Sequence, residues 1–148
     1  MSGLQIIIGC DHGAYQLKDI LKNQLIADGI QVEDVGVCGP ESVDYPDIGM
    51  KVASEVSKGH YPRGILLCGT GLGMSMVANR YPHVRAALCN DLFSAKLSRL
   101  HNDANILVMG GRIVGDVLAL EILKTWLDTP YEGARHQRRL DLFDAIPC

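Results

Sequence analysis

The 148-residue chain contains no run of 18 apolar residues, so no transmembrane helix is expected. It has no excess of positive charge. A formal net charge of −3 gives no global field to recruit nucleic acid or an anionic membrane, and neither is expected as a partner. No basic stretch precedes the first apolar run. "MSGLQIIIGCDHGAY" reaches Asp11 quickly and reads as a core strand rather than a signal peptide, which places the protein in the cytoplasm. Paired cysteines are also lacking. The five present (Cys10, Cys38, Cys68, Cys89 and Cys148) are odd in number and scattered, which argues against a disulfide framework. None has the short spacing of a zinc knuckle, so no metal site is expected. Cys38 and Cys89 read as small buried hydrophobes. Linkers, repeats and low-complexity segments are missing as well.

What is there is one domain's worth of chain, 47% hydrophobic, in which strands and helices alternate. "LQIIIG" is a continuous apolar run, as in a strand buried on both faces. "GAYQLKDILKNQLIADG" puts Leu17, Ile20, Leu21 and Leu25 on one helical face and stops at Gly29. "IQVEDVG" follows as a strand. "YPDIGMKVASEVSKG" has Pro46 near a helix start, a stripe of Ile48, Val52 and Val56, and Gly59 as its stop. "RGILLCG", "VRAALC" and "NILVMGG" are further strands. "LGMSMVANRY", "DLFSAKLSRLHND" and the long "RIVGDVLALEILKTWLD" are helices, the last ended by Pro130. The pattern predicts a single α/β domain over residues 1–148, with a parallel sheet of about five strands and helices on both faces. Residues 131–148 form a tail, strongly basic at its start and apolar later.

Ligands of open parallel sheets bind beyond the carboxyl ends of the strands. The residues expected there include Asp11 and His12, Asp44 and Tyr45, Cys68 to Gly73, Asn90 and Asp91, and Gly110 to Arg112. The third of these stretches, "LCGTGLGM", ends a strand in a thiol and opens a glycine-rich turn. The dinucleotide fingerprint needs its third glycine at Met74, so it fails. A low-molecular-weight cysteine phosphatase needs an arginine at that same position. What survives is an anion cradle of backbone N–H groups at a helix start, approachable because of Gly69, Gly71 and Gly73. A thiol there has its pKa lowered by the helix N-terminus. The plainer reading is a buried structural cysteine in a turn. Asp11 could equally be a helix cap beside a solvent-facing His12. His101 could simply favour a helix C-terminus. Arg135, His136, Arg138 and Arg139 could be a solvated face, although Arg135 and Arg139 share a helical side and, with Arg112, could grip a phosphate.

Taken together, "GCDHG", "DYPD", "LCGTGLGMSMVANR", "RLHNDANILVMGGR" and "YEGARHQRRL" resemble the sugar-phosphate isomerases of the ribose-5-phosphate isomerase type B and galactose-6-phosphate isomerase family, in order and over nearly the whole chain. The resemblance implies a Rossmann-like three-layer α/β/α fold and a cofactor-free aldose–ketose isomerase. It also implies a homodimer or homotetramer with active sites at the subunit interface. It makes Cys68 the base that moves a proton between carbons 1 and 2. Some relatives replace this cysteine with a carboxylate from elsewhere; this chain keeps it. Thr70 and His101 become the ring-opening groups. Asp11 and Asn102, with Tyr45 nearby, become ligands of the sugar oxygens, and the Gly69–Gly73 amides become the enediolate hole. His12, Arg112, Arg135 and Arg139 become the phosphate site. The expected reaction interconverts ribose 5-phosphate and ribulose 5-phosphate. The alternatives are a six-carbon substrate such as galactose 6-phosphate or allose 6-phosphate, and a non-catalytic module that binds a sugar phosphate or nucleotide. The tail is expected to dock on a partner subunit and complete its phosphate site.

Overall fold

Three continuous apolar runs form the middle of the sheet. In a computed structural model, which describes residues 3–147, β1 (Gln5–Cys10), β3 (Arg63–Cys68) and β5 (Ile106–Gly110) are buried almost throughout. The shorter β2 (Gln31–Asp34) and β4 (Ala86–Leu88) take the edges, and all pairings are parallel in the order β2-β1-β3-β5-β4. β4 is shorter than "VRAALC" suggests. Cys148 lies outside the described residues.

Successive strand residues point to opposite faces, and the isoleucines of β1 show it. Ile6 and Ile8 join Leu17, Leu21, Leu25, Ile65, Leu67, Met109, Ile122, Leu123 and Trp126 on one face. Ile7 joins Val52, Ala53, Val56, Leu66, Met74 and Val108 on the other. The first face is covered by α1 (Tyr15–Ala27), α4 (Leu92–Leu100) and α5 (Asp116–Asp128), and the second by α2 (Tyr45–Ser57) and α3 (Leu72–Ala78). The result is a three-layer α/β/α domain, Rossmann-like, with a sixth helix α6 (Arg135–Asp144) in the tail. Full burial of each large aliphatic side chain is worth about 1.5–3 kcal/mol, so the two faces together drive folding.

Helix ends follow the sequence signals closely. Gly29 and Gly59 adopt φ of +78° and +77°, a conformation that stops a helix at little cost to glycine alone. Two details differ from expectation. The inward stripe of α1 contains Lys18, fully buried, while Ile20 is only half-buried. Lys18 is tolerated there because its Nζ lies 3.0 Å from an Asp34 carboxylate oxygen and donates to the Val37 carbonyl at 2.9 Å. In addition, α5 starts at Asp116 rather than Arg112. The preceding turn is held elsewhere: the Gly111 N–H donates to the Cys68 carbonyl and the Arg112 N–H to the Gly69 carbonyl. That tertiary tie withholds residues 111–115 from the helix and fixes Arg112 beside the β3 turn.

Candidate active site

The strand order puts the topological switch between β1 and β3, so their carboxyl ends flank an open crevice. Cys68 is the last residue of β3, 5% exposed, and its Sγ accepts the Gly71 N–H at 3.1 Å. Gly71 has φ +80°, which a residue with a Cβ rarely adopts, and this turns its N–H back on the sulfur. A thiolate here meets a fixed donor. Thr70 is exposed, with Oγ1 accepting the Leu72 N–H at 3.3 Å. Gly73 lies under the Tyr45 ring, whose Oη would be 2.7 Å from a Cβ at that position. The guanidinium of Arg112 would lie 3.4 Å from a Cβ at Gly69.

β1 supplies the opposite wall. Asp11 is 7% exposed, and its Oδ1 accepts the Gly13 N–H at 2.9 Å. Gly13 packs against the Gly69 backbone, so the β1 and β3 turns touch. His12 Nδ1 accepts the Val43 N–H at 3.2 Å. A backbone amide can only donate, so Nδ1 carries a lone pair and the neutral ring keeps its proton on Nε2. Asp11, His12, Tyr45, Cys68, Gly69, Thr70, Gly71, Gly73 and Arg112 therefore belong to one end of the sheet. Of the other thiols, burial pushes Cys10 up to about 12 and Cys89 up to about 11, which makes both inert. Cys38 is exposed on the loop after β2, not buried as the sequence suggested: that loop is polar and glycine-rich and has no core to enter.

The remaining four predicted residues are at the other end. α4 leaves the carboxyl end of β4 and runs back along the sheet, so His101 and Asn102 emerge where the strands begin. The local bonds confirm it: Asn105 N–H donates to the Arg85 carbonyl, and Asn105 accepts from the Gly64 N–H at the start of β3. The tail joins the same edge. Glu132 N–H donates to the Leu100 carbonyl, and Asp144 at the end of α6 pairs with Arg85 at 3.1 Å. Arg135 and Arg139 are exposed on α6. Leu140 is buried against the chain's own body, while Leu142, Phe143 and Ile146 are exposed, so only part of the tail's apolar surface is used within one chain.

Two residues at this edge were not singled out as site residues from sequence. His136 is 5% exposed and stacks on His101 with ring centroids 4.2 Å apart. Glu132 Oε2 lies 3.3 Å from His136 Nε2 and 3.8 Å from His101 Nε2. Glu132 precedes α6, and Gly133 and Ala134 between the two residues adopt positive φ, so no helical spacing signalled the pair.

A thiol on a donor-lined turn, with a carboxylate and an imidazole across a crevice, is an arrangement suited to moving protons. The sequence pattern of the ribose/galactose isomerase family matches residues 6–143, and the chain belongs to that family. More particularly, the chain is 44% identical over 142 residues to ribose-5-phosphate isomerase B of Escherichia coli, covering 96% of this chain and 95% of that one. It matches the crystal structure of a ribose 5-phosphate isomerase from Thermotoga maritima with TM-score 0.94 and 50% identity, over 97% of this chain and 99% of that one. The Mycoplasma genitalium ribose-5-phosphate isomerase B with bound ribulose-5-phosphate matches with TM-score 0.93 and 37% identity, over 97% and 96%. Among the described residues, no helix is long and apolar enough to cross a membrane.

Proposed function

We propose that this isomerase interconverts ribose 5-phosphate and ribulose 5-phosphate in the cytoplasm, without metal or nucleotide cofactor, at sites shared between two subunits. Its likeness to ribose-5-phosphate isomerases over nearly its full length supports the five-carbon substrate. The observation that carries the mechanism is the seat of Cys68 in the β1/β3 crevice, with the Gly71 N–H 3.1 Å from its sulfur. A pentose phosphate is mostly a closed furanose in water. His101, with Thr70, opens the ring by moving a proton between the ring oxygen and the anomeric hydroxyl. The Cys68 thiolate then takes the proton from carbon 2 and returns it to carbon 1. The electron pair passes through an enediolate, whose oxygen faces the Gly69–Gly73 amides, and the carbon-2 hydroxyl gives up its proton as the carbon-1 oxygen gains one. Asp11, Asn102 and Tyr45 hold sugar hydroxyls; His12, Arg112, Arg135 and Arg139 hold the phosphate. No net oxidation occurs, so the steps balance as proton transfers alone.

The split across the sheet supports a dimer as the working unit. Five register pairs, from Gly64↔Ile106 to Cys68↔Gly110, separate the two edges. At about 3.3 Å per residue that is roughly 13 Å along the strands. A general base must come within about 3.2 Å of the proton that it moves. Cys68 and His101 of one chain therefore serve different substrates, and a second copy brings the two sets together, as a homodimer or a homotetramer built from it.

The test is an assay of purified protein with a panel of five- and six-carbon aldose phosphates in the presence of EDTA. Ribose 5-phosphate should give the highest kcat/KM. A higher value for a six-carbon phosphate would reassign the substrate, and loss of all activity in EDTA would overturn the metal-free mechanism.

A further inference from the structure

We propose that His101, Glu132 and His136 form a binding site for a zinc-class divalent cation, and that filling it arrests isomerisation. The inhibitory half rests on the ring-opening role given above to His101; the binding half does not.

The three side chains each offer a ligand atom, and these atoms lie within 4.8 Å of one another. Glu132 Oε2 reaches both rings, 3.3 Å from His136 Nε2 and 3.8 Å from His101 Nε2. Tetrahedral zinc takes imidazole nitrogen and carboxylate oxygen at about 2.0–2.2 Å, which places any two ligand atoms about 3.3–3.5 Å apart. The Glu132–His136 edge already has that length, and the Glu132–His101 edge needs to close by a few tenths of an ångström. Two imidazoles and one carboxylate, with a fourth position left to solvent, suit zinc and its neighbours rather than magnesium or calcium, which prefer all-oxygen shells.

The site is preorganised on one side and open on the other. His136 is held against the body of the protein, whereas His101, stacked on it 15° from parallel and partly exposed, swings off the stack to aim its in-plane lone pair at a shared ion. Glu132 is about half exposed, so a cation can enter from solvent. Its backbone is fixed by the N–H bond to the Leu100 carbonyl. The main competitor is Arg135, whose Nε approaches His136 Nε2 at 3.4 Å, a long contact that a metal would displace. The nearby Arg85 and Arg99 are paired with Asp103 and Asp144, Arg85 with both and Arg99 with Asp103. His101 acts in ring opening through a ring nitrogen that can carry a proton. A cation on Nε2 occupies that lone pair, so the group can no longer pass the proton at that atom.

The experiment titrates chelator-stripped protein with ZnCl2 by calorimetry, on the wild type, Glu132→Gln and Cys68→Ala. Isomerase activity on ribose 5-phosphate is followed alongside. Wild type should bind one ion per chain and lose activity in step with occupancy, with EDTA restoring it. Glu132→Gln should weaken binding by more than about tenfold and make its own activity correspondingly zinc-resistant. Cys68→Ala should bind zinc as the wild type does. Substituting cobalt(II) should give the visible bands of a tetrahedral site without thiolate charge transfer. Zinc binding that survives Glu132→Gln but is lost in Cys68→Ala would overturn the site, because the thiol would then be the ligand. Binding through Glu132 with activity intact would overturn the inhibitory half. Activity measured without zinc in wild type and Cys68→Ala tests the isomerase reading by itself, so the two readings fail separately.

Discussion

Mixing two inactive variants gives the sharpest test of the shared site. Cys68→Ala removes the proposed base at the carboxyl edge of the sheet. Arg139→Ala removes a proposed phosphate ligand at the opposite edge, where Asp144 of the same helix pairs with Arg85. Loss of a positioned base costs about 10²–10⁴-fold in rate. Loss of one charge-assisted bond to phosphate costs about 1.5–3 kcal/mol, or roughly 10–150-fold. Each homodimer is therefore nearly silent at low substrate. If subunits exchange freely at equal concentrations, about half of the dimers are hybrids of the two-fold type. In each hybrid one site carries both substitutions and the other carries neither. About a quarter of wild-type activity should return, well above either parent. The assay follows ketose formation at substrate below KM, and native mass spectrometry verifies hybrid formation. Hybrids present at about half the population with no rise in activity would place Cys68 and Arg139 of each site on one chain and refute the shared site.

Four further outcomes are expected. Cys68→Ala alone should lose about 10²–10⁴-fold in kcat while the affinity for a phosphate-bearing competitor, read by calorimetry, changes little; a loss under tenfold would remove Cys68 as the base. His101→Asn should be impaired on ribose 5-phosphate but far less on an open-chain analogue, and equal losses would move His101 to the proton-transfer step. Iodoacetamide should label exposed Cys38 first without loss of activity, then Cys68 with loss and with substrate protection, leaving Cys10 and Cys89 untouched, as peptide mapping would show. Asp34→Ala leaves the buried Lys18 ammonium with only the Val37 carbonyl and a longer contact to Asp19 and should cost about 3–5 kcal/mol, or roughly 6–20 °C in Tm, whereas Lys22→Ala, on the more exposed partner, should cost under about 1 kcal/mol. The pH dependence follows from the same cluster. Burial works to raise Asp34, but hydrogen bonds from Lys22, Lys18 and the Gly36 amide outweigh it and hold the carboxyl below its ordinary range. Its contribution is thus complete above about pH 4 and fades as pH falls through the lower folded value. Burial likewise works to lower Lys18, yet Asp34 raises it overall, so its share holds up to about pH 10 and is lost as pH rises through the higher folded value. Asp34→Ala should flatten both flanks of the stability curve.

Most of the sheet was legible because β1, β3 and β5 are buried on both faces and read as unbroken apolar runs. Helix stops were legible because Gly29 and Gly59 need a backbone conformation that other residues resist. What sequence did not give was decided by contacts between distant segments. Lys18 took an inward place on α1 because Asp34 and the Val37 carbonyl meet it there. The start of α5 moved because the turn before it bonds to Cys68 and Gly69. The proposed site residues come from motifs, but their distribution over two ends of one sheet depends on the direction in which α4 and the tail run. Glu132 reaching both His101 and His136 needs the tail folded against α4, which no local pattern specifies.

The strand order also sets a schedule for biosynthesis. β5 is the last strand made, yet it sits between β3 and β4, and β4 pairs with no other strand among the described residues. β2, β1 and β3 can associate as soon as residue 68 has left the ribosome, but β4 must wait for residues 106–110. Until then the growing chain carries β3 as an open edge, ready to accept a strand from any neighbouring chain. A slow stretch of translation between residues 88 and 106 would lengthen that exposure, and a chaperone that shields the β3 edge would act in that interval. The same strand that closes the sheet carries Gly110 to the rim of the crevice, so completion of the fold and completion of the β3 side of the crevice are a single event.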